Sequence, residues 1–110
     1  MAAPDAEPGL EALLRANRVT FAAAFELDPE DHELGRRAVR AAFAVAQDLD
    51  GDERRRWYLE GAKIADRLAA AAPVPENLRL AGEARLGAGD CAAARRWFEE
   101  AAAADAADPL

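Results

Sequence analysis

The chain is expected to be all-α, and three observations carry that expectation. Alanine fills 31 of its 110 positions, and alanine is the best helix former. Apolar residues recur three and four positions apart, which lines them up on one face of a helix. No stretch alternates β-branched and polar residues, so no strand is expected. Hydrophobic residues at 52% and charged residues at 32% place the chain with folded domains rather than disordered ones. Its length suits one domain. We expect residues 1–8 to form a tail, residues 9–105 a single helical domain, and residues 106–110 a second tail.

Five antiparallel helices joined by short turns are expected, and each has a local cause. Leu10, Leu13, Leu14, Asn17, Phe21, Ala24 and Phe25 make the apolar stripe of a first helix that runs to about Leu27. Asp28-Pro29-Glu30-Asp31 interrupts it, because proline cannot continue a helix but is tolerated in the first turn of the next. Asp28 is the expected cap there. The second helix carries Leu34, Ala38, Ala42, Val45 and Leu49 on one stripe, with Val39 and Phe43 on a neighbouring face. Gly51 is the expected helix stop, and the third helix is expected near Glu53. Trp57, Ile64, Leu68 and Ala71 form its stripe, widened by Tyr58, Ala62 and Ala65. Pro75 can open the fourth helix, which holds Leu78, Ala81, Arg85 and Leu86. Gly89 allows a tight turn, Asp90 suits a cap, and the fifth helix holds Ala94, Phe98 and Ala101.

Gly82, Gly89, Ala94, Phe98 and Ala101 stand at spacings that resemble a tetratricopeptide repeat, a helix-turn-helix unit of about 34 residues. The physical logic is that Gly82 and Ala94 let two helices approach and Phe98 fills the space between them. The match is moderate over residues 76–105 and weak elsewhere. Upstream, Phe21, Ala24 and Pro29 resemble the second half of such a repeat. The sequence departs from the pattern at Asn17, Ala81, Arg85 and Ala106, and its middle unit is longer than the repeat by roughly ten residues. The resemblance implies a TPR-like stack of helical hairpins; an unrelated α-helical bundle is the alternative.

Charge and composition exclude several function classes. Fourteen Lys and Arg against 21 Asp and Glu give a formal charge of -7, the wrong sign for a nucleic-acid binder. The chain has no serine and one histidine, one cysteine, one tyrosine and one threonine. A serine nucleophile is therefore excluded, a Cys/His zinc site lacks ligands, and no disulfide can form within the chain. No acid, base and nucleophile set can be named, so neither enzyme activity nor a cofactor or metal is expected. Asp48, Asp50 and Asp52 imitate the start of a calcium loop, but Glu53 and Leu59 fill the places that need glycine and a bidentate glutamate. Residues 68–74 and 101–104 are too short to span a bilayer, and residues 1–8 show no basic-then-apolar leader. A cytoplasmic protein is expected. His32, Arg54 to Arg56 and the Glu99-Glu100 pair read as solvated surface, and Cys91 as a buried thiol.

What remains is the capacity to hold another molecule. The resemblance implies that the first helix of each hairpin lines a groove. Glu33, Arg36, Arg40 and Phe43 would face it from the second helix, and Glu76, Arg79, Glu83 and Leu86 from the fourth. Arg36 and Arg40 are one turn apart and can converge with Arg79 on a carboxylate of a peptide or protein partner. Reversing both charges should then abolish binding without changing the melting temperature. The alternative is that these are solvated faces. Trp97 either packs on the third or fourth helix or stands at an open end that docks a partner. In the second case the uncovered face of the fifth helix could instead assemble a homodimer that buries Trp97.

Overall fold

The computed structural model describes residues 21–107. These residues form five helical segments and no strand. We designate residues 21–27 α1, His32–Gln47 α2, Gly51–Ala71 α3, Pro75–Gly87 α4 and Cys91–Ala107 α5. The expectations for residues 1–8, for Leu10, Leu13, Leu14 and Asn17, and for residues 108–110 lie outside the described residues. Helix α5 continues through Ala107, past the expected boundary at 105.

The turns follow from local chemistry, with two corrections. Asp31, not Asp28, caps α2: its carboxylate accepts from the Leu34 N–H at 3.1 Å. The Asp31 N–H donates to the Asp28 carbonyl at 3.0 Å. Pro29 thus initiates a complete turn and pushes the helix start downstream. Gly51 does not stop α2, which has already ended at Gln47; it opens α3 with φ at +58°. Pro75 is the first residue of α4, where its missing N–H costs nothing. Gly89, at φ +88°, makes the α4–α5 turn. Asp90 then accepts the Ala93 N–H at 3.1 Å and caps α5.

The helices stack in chain order, and α2 also touches α4. Facing pairs run in opposite directions along each hairpin. Gly35 faces Leu68, and Phe43 faces Tyr58 and Gly61, between α2 and α3. Between α4 and α5, Arg79 meets Asp105 and Gly82 meets Phe98. Phe25, Val39, Val45 and Leu68 anchor the core among fully buried alanines such as Ala38, Ala42, Ala62, Ala65, Ala81 and Ala84. Helix α2 is buried over a wider arc than one stripe because α1, α3 and α4 all lean on it.

Close approach depends on glycine set against a larger side chain. A Cβ at Gly82 would stand 2.7 Å from the Phe98 ring, and one at Gly35 would stand 2.8 Å from both Phe25 and Leu68. These rings and branches fill the space where a side chain would otherwise lie. Asn77, wholly buried, was not anticipated. Its Nδ2 donates to the Ala72 carbonyl at 3.0 Å and its Oδ1 accepts from Arg36 at 3.3 Å. One amide therefore fixes the α3–α4 turn and ties α2 to it, as a buried polar group must be satisfied.

Candidate functional site

Arg36 and Arg40 do converge on a carboxylate, and it belongs to their own chain. Arg40 donates to Glu76 at 2.8 Å, and the Arg36 Nε lies 3.8 Å from the same oxygen. Arg36 also pairs with Glu33 at 3.1 Å and is only 19% exposed. Arg79 turns away from this cluster and donates to Asp105 of α5 at 2.7 Å. The three arginines expected to share one ligand are thus divided between two carboxylates, Glu76 and Asp105, in ion pairs that bridge helices. Reversing Arg36 and Arg40 would remove their pairs with Glu76 and the Arg36–Asn77 hydrogen bond, so a lowered melting temperature is expected here rather than an unchanged one.

Phe43, Glu83 and Leu86 are brought together. They line a cleft of about 360 Å³ with Gln47, Arg54, Tyr58 and Gly87. Phe43 comes from α2, Tyr58 from α3, and Leu86 from the last turn of α4. The Phe43 and Tyr58 rings lie 5.3 Å apart at 48°, within the range where tilted aromatic pairs attract. The Tyr58 ring occupies the space beside Gly87, where a Cβ would stand 2.3 Å from it. The Arg54 guanidinium sits 5.8 Å from the Tyr58 centroid, a cation–π contact. Glu83 is exposed at the opposite helix. The cleft therefore offers an aromatic and aliphatic floor with one cation and one anion on its rim. Arg54 and Tyr58 were missed as site residues because α3 was read as the outer helix of its hairpin.

Trp97 is half-buried and packs against the core rather than standing at an open end. It lines a second cleft, about 310 Å³, with Asp66, Arg85, Asp90 and Arg96. Arg85 donates to the Asp66 carboxylate through Nε at 3.2 Å and again through Nη2. That hydrogen bond raises the Arg85 pKa above its ordinary value; partial burial opposes the shift, and the charges of Asp66 and Asp90 add to it. Phe98, one residue further on, is the aromatic that closes the α4–α5 interface over Gly82 and borders a groove along that edge. Cys91 is exposed, contrary to expectation. It begins α5, and an alanine-rich neighbourhood there does not imply burial.

Among the described residues, no helix is long and apolar enough to cross a membrane. No three His, Cys, Asp or Glu side chains among them gather as a metal site would require. Comparison with protein-family models, with curated proteins and with solved structures gave no match.

Proposed function

We propose that the chain is a non-enzymatic adaptor of tetratricopeptide-like architecture that docks a peptide or protein partner in the Phe43–Tyr58–Leu86 cleft. The observation that carries this reading is the meeting of α2, α3 and α4 around a mostly apolar floor whose two rim charges come from different helices. The partner's apolar side chain would rest on Phe43, Tyr58 and Leu86. Its carboxylate would pair with Arg54, because Arg36, Arg40 and Arg79 are held by Glu76 and Asp105. Glu83 would favour a basic residue on the far side of the apolar one. A helical stack without a nucleophile set suits recognition better than catalysis. A cytoplasmic setting belongs to the same proposal.

Selection from a random peptide display library on the immobilised chain tests it. R54E and E83R, made separately at exposed positions, are expected to weaken the selected peptides at least tenfold, about 1.4 kcal/mol, with unchanged melting. Peptides that bind both variants as well as the parent chain would refute the site.

A further inference from the structure

A second surface runs along the α4–α5 edge of the stack, and it shares only Leu86 with the cleft just proposed as a peptide site. Phe98 rests on Gly82 and presents its outer edge to a groove of about 600 Å³ lined by Leu86, Cys91, Ala94 and Ala102. Leu86 is 54% exposed. The remaining lining residues, Arg95 and Glu99, are the only charged ones in the groove. They pair with each other at 3.0 Å while staying 83% and 66% exposed.

That pair is arranged to be shared. A cation four residues before an anion is the weaker order on a helix, because it opposes the helix dipole. The two residues lie symmetrically about position 97. A two-fold axis near that position, with two α5 helices antiparallel, sets Arg95 of each copy against Glu99 of the other. The patch also carries one positive and one negative charge, so it is neutral in a chain of formal charge -7. The patch itself therefore adds no like-charge repulsion to the pairing of so acidic a chain. Ala102, exposed on the same flank, allows the two helices to come close, and Phe98 supplies the apolar centre.

We infer that this groove is occupied by α5 of a second copy of the chain, forming a two-fold dimer through Arg95, Phe98 and Glu99. The same symmetry brings Cys91 of one copy opposite residue 102 of the other, offset by about 1.5 Å along the axis. Within one helix those positions are about 16 Å apart and cannot be bridged.

Sedimentation equilibrium over a concentration series reads the association. The parent chain is expected to dimerise. R95E and E99R should each raise the dimer dissociation constant at least about tenfold, and R95E/E99R together should restore it. Copper-phenanthroline oxidation of A102C should give a covalent dimer through Cys91, whereas the parent chain and C91A/A102C should not cross-link. A parent chain that stays monomeric at all concentrations would overturn the inference. So would single variants that pair as well as the parent, or a double variant that fails to recover.

Discussion

Replacing each of three buried helical glycines by alanine should give three different results, because the space around them differs. Alanine gains up to about 1 kcal/mol over glycine in a helix interior. At Gly61 the nearest atoms to an added methyl are Ala42 and Phe43, both at 3.4 Å, an ordinary contact. G61A should therefore stabilise the chain by about 0.5–1 kcal/mol. At Gly35 the methyl would meet Leu68 and Phe25 at 2.8 Å, and both are essentially without solvent exposure. Neither can retreat, so overpacking of about 1–3 kcal/mol outweighs the propensity gain through most of its range and leaves a net loss of up to about 2 kcal/mol. At Gly82 the clash is as close, 2.7 Å, but Phe98 is only half-buried and can swing outward. G82A should cost about 0–1 kcal/mol. Urea denaturation followed by circular dichroism should rank the chains G61A, parent, G82A, G35A. Three stabilised variants, or G61A as damaging as G35A, would refute the packing.

Two further predictions concern the turns and the partly buried ion pair. G89A should lose about 1–2 kcal/mol because its φ of +88° is strained for alanine, and D90A about 1 kcal/mol through loss of the α5 cap; thermal melts of each check both. R85M should cost about 1–2 kcal/mol by leaving the Asp66 carboxylate short of a donor. Because the Arg85 pKa is raised, the stabilisation tied to its charge is present below the ordinary arginine range and is lost only as pH climbs through the raised value. The gap between parent and R85M should therefore stay constant from about pH 7 to about pH 10 in chemical denaturation.

The residues that set local structure were legible, and those that act across the fold were not. Pro75, Gly89 and Asp90 announce a helix start, a turn and a cap because their effects stay within a few bonds. Gly82 and Phe98 were legible through spacing, since a separation of sixteen positions brings the two sides of one hairpin together. Asp28 and Asp31 compete for the same role, and the turn that Pro29 builds decides between them. Arg40 and Glu76 are 36 residues apart. Their pairing depends on α2 meeting α4, which no local pattern encodes, so the sequence does not reveal that two arginines read as ligand-binding already face a carboxylate of their own chain. Arg54 and Tyr58 escaped notice for the same reason: a cleft made by three helices belongs to none of their individual stripes. The adjacent pair Trp97 and Phe98 could be divided between the Asp66 side and the Gly82 side of α5 only once α3 and α4 were in place.

The claim beneath all of this is that α4 and α5 nest through a ring seated on a bare backbone. Proton NMR reads that contact directly at Gly82. Its Hα resonances should be displaced by the Phe98 ring current and should show strong NOEs to the Phe98 ring protons, and F98L should abolish the displacement. Unshifted Gly82 Hα resonances without NOEs to Phe98 would contradict the α4–α5 nesting and leave the proposed dimer surface without a frame.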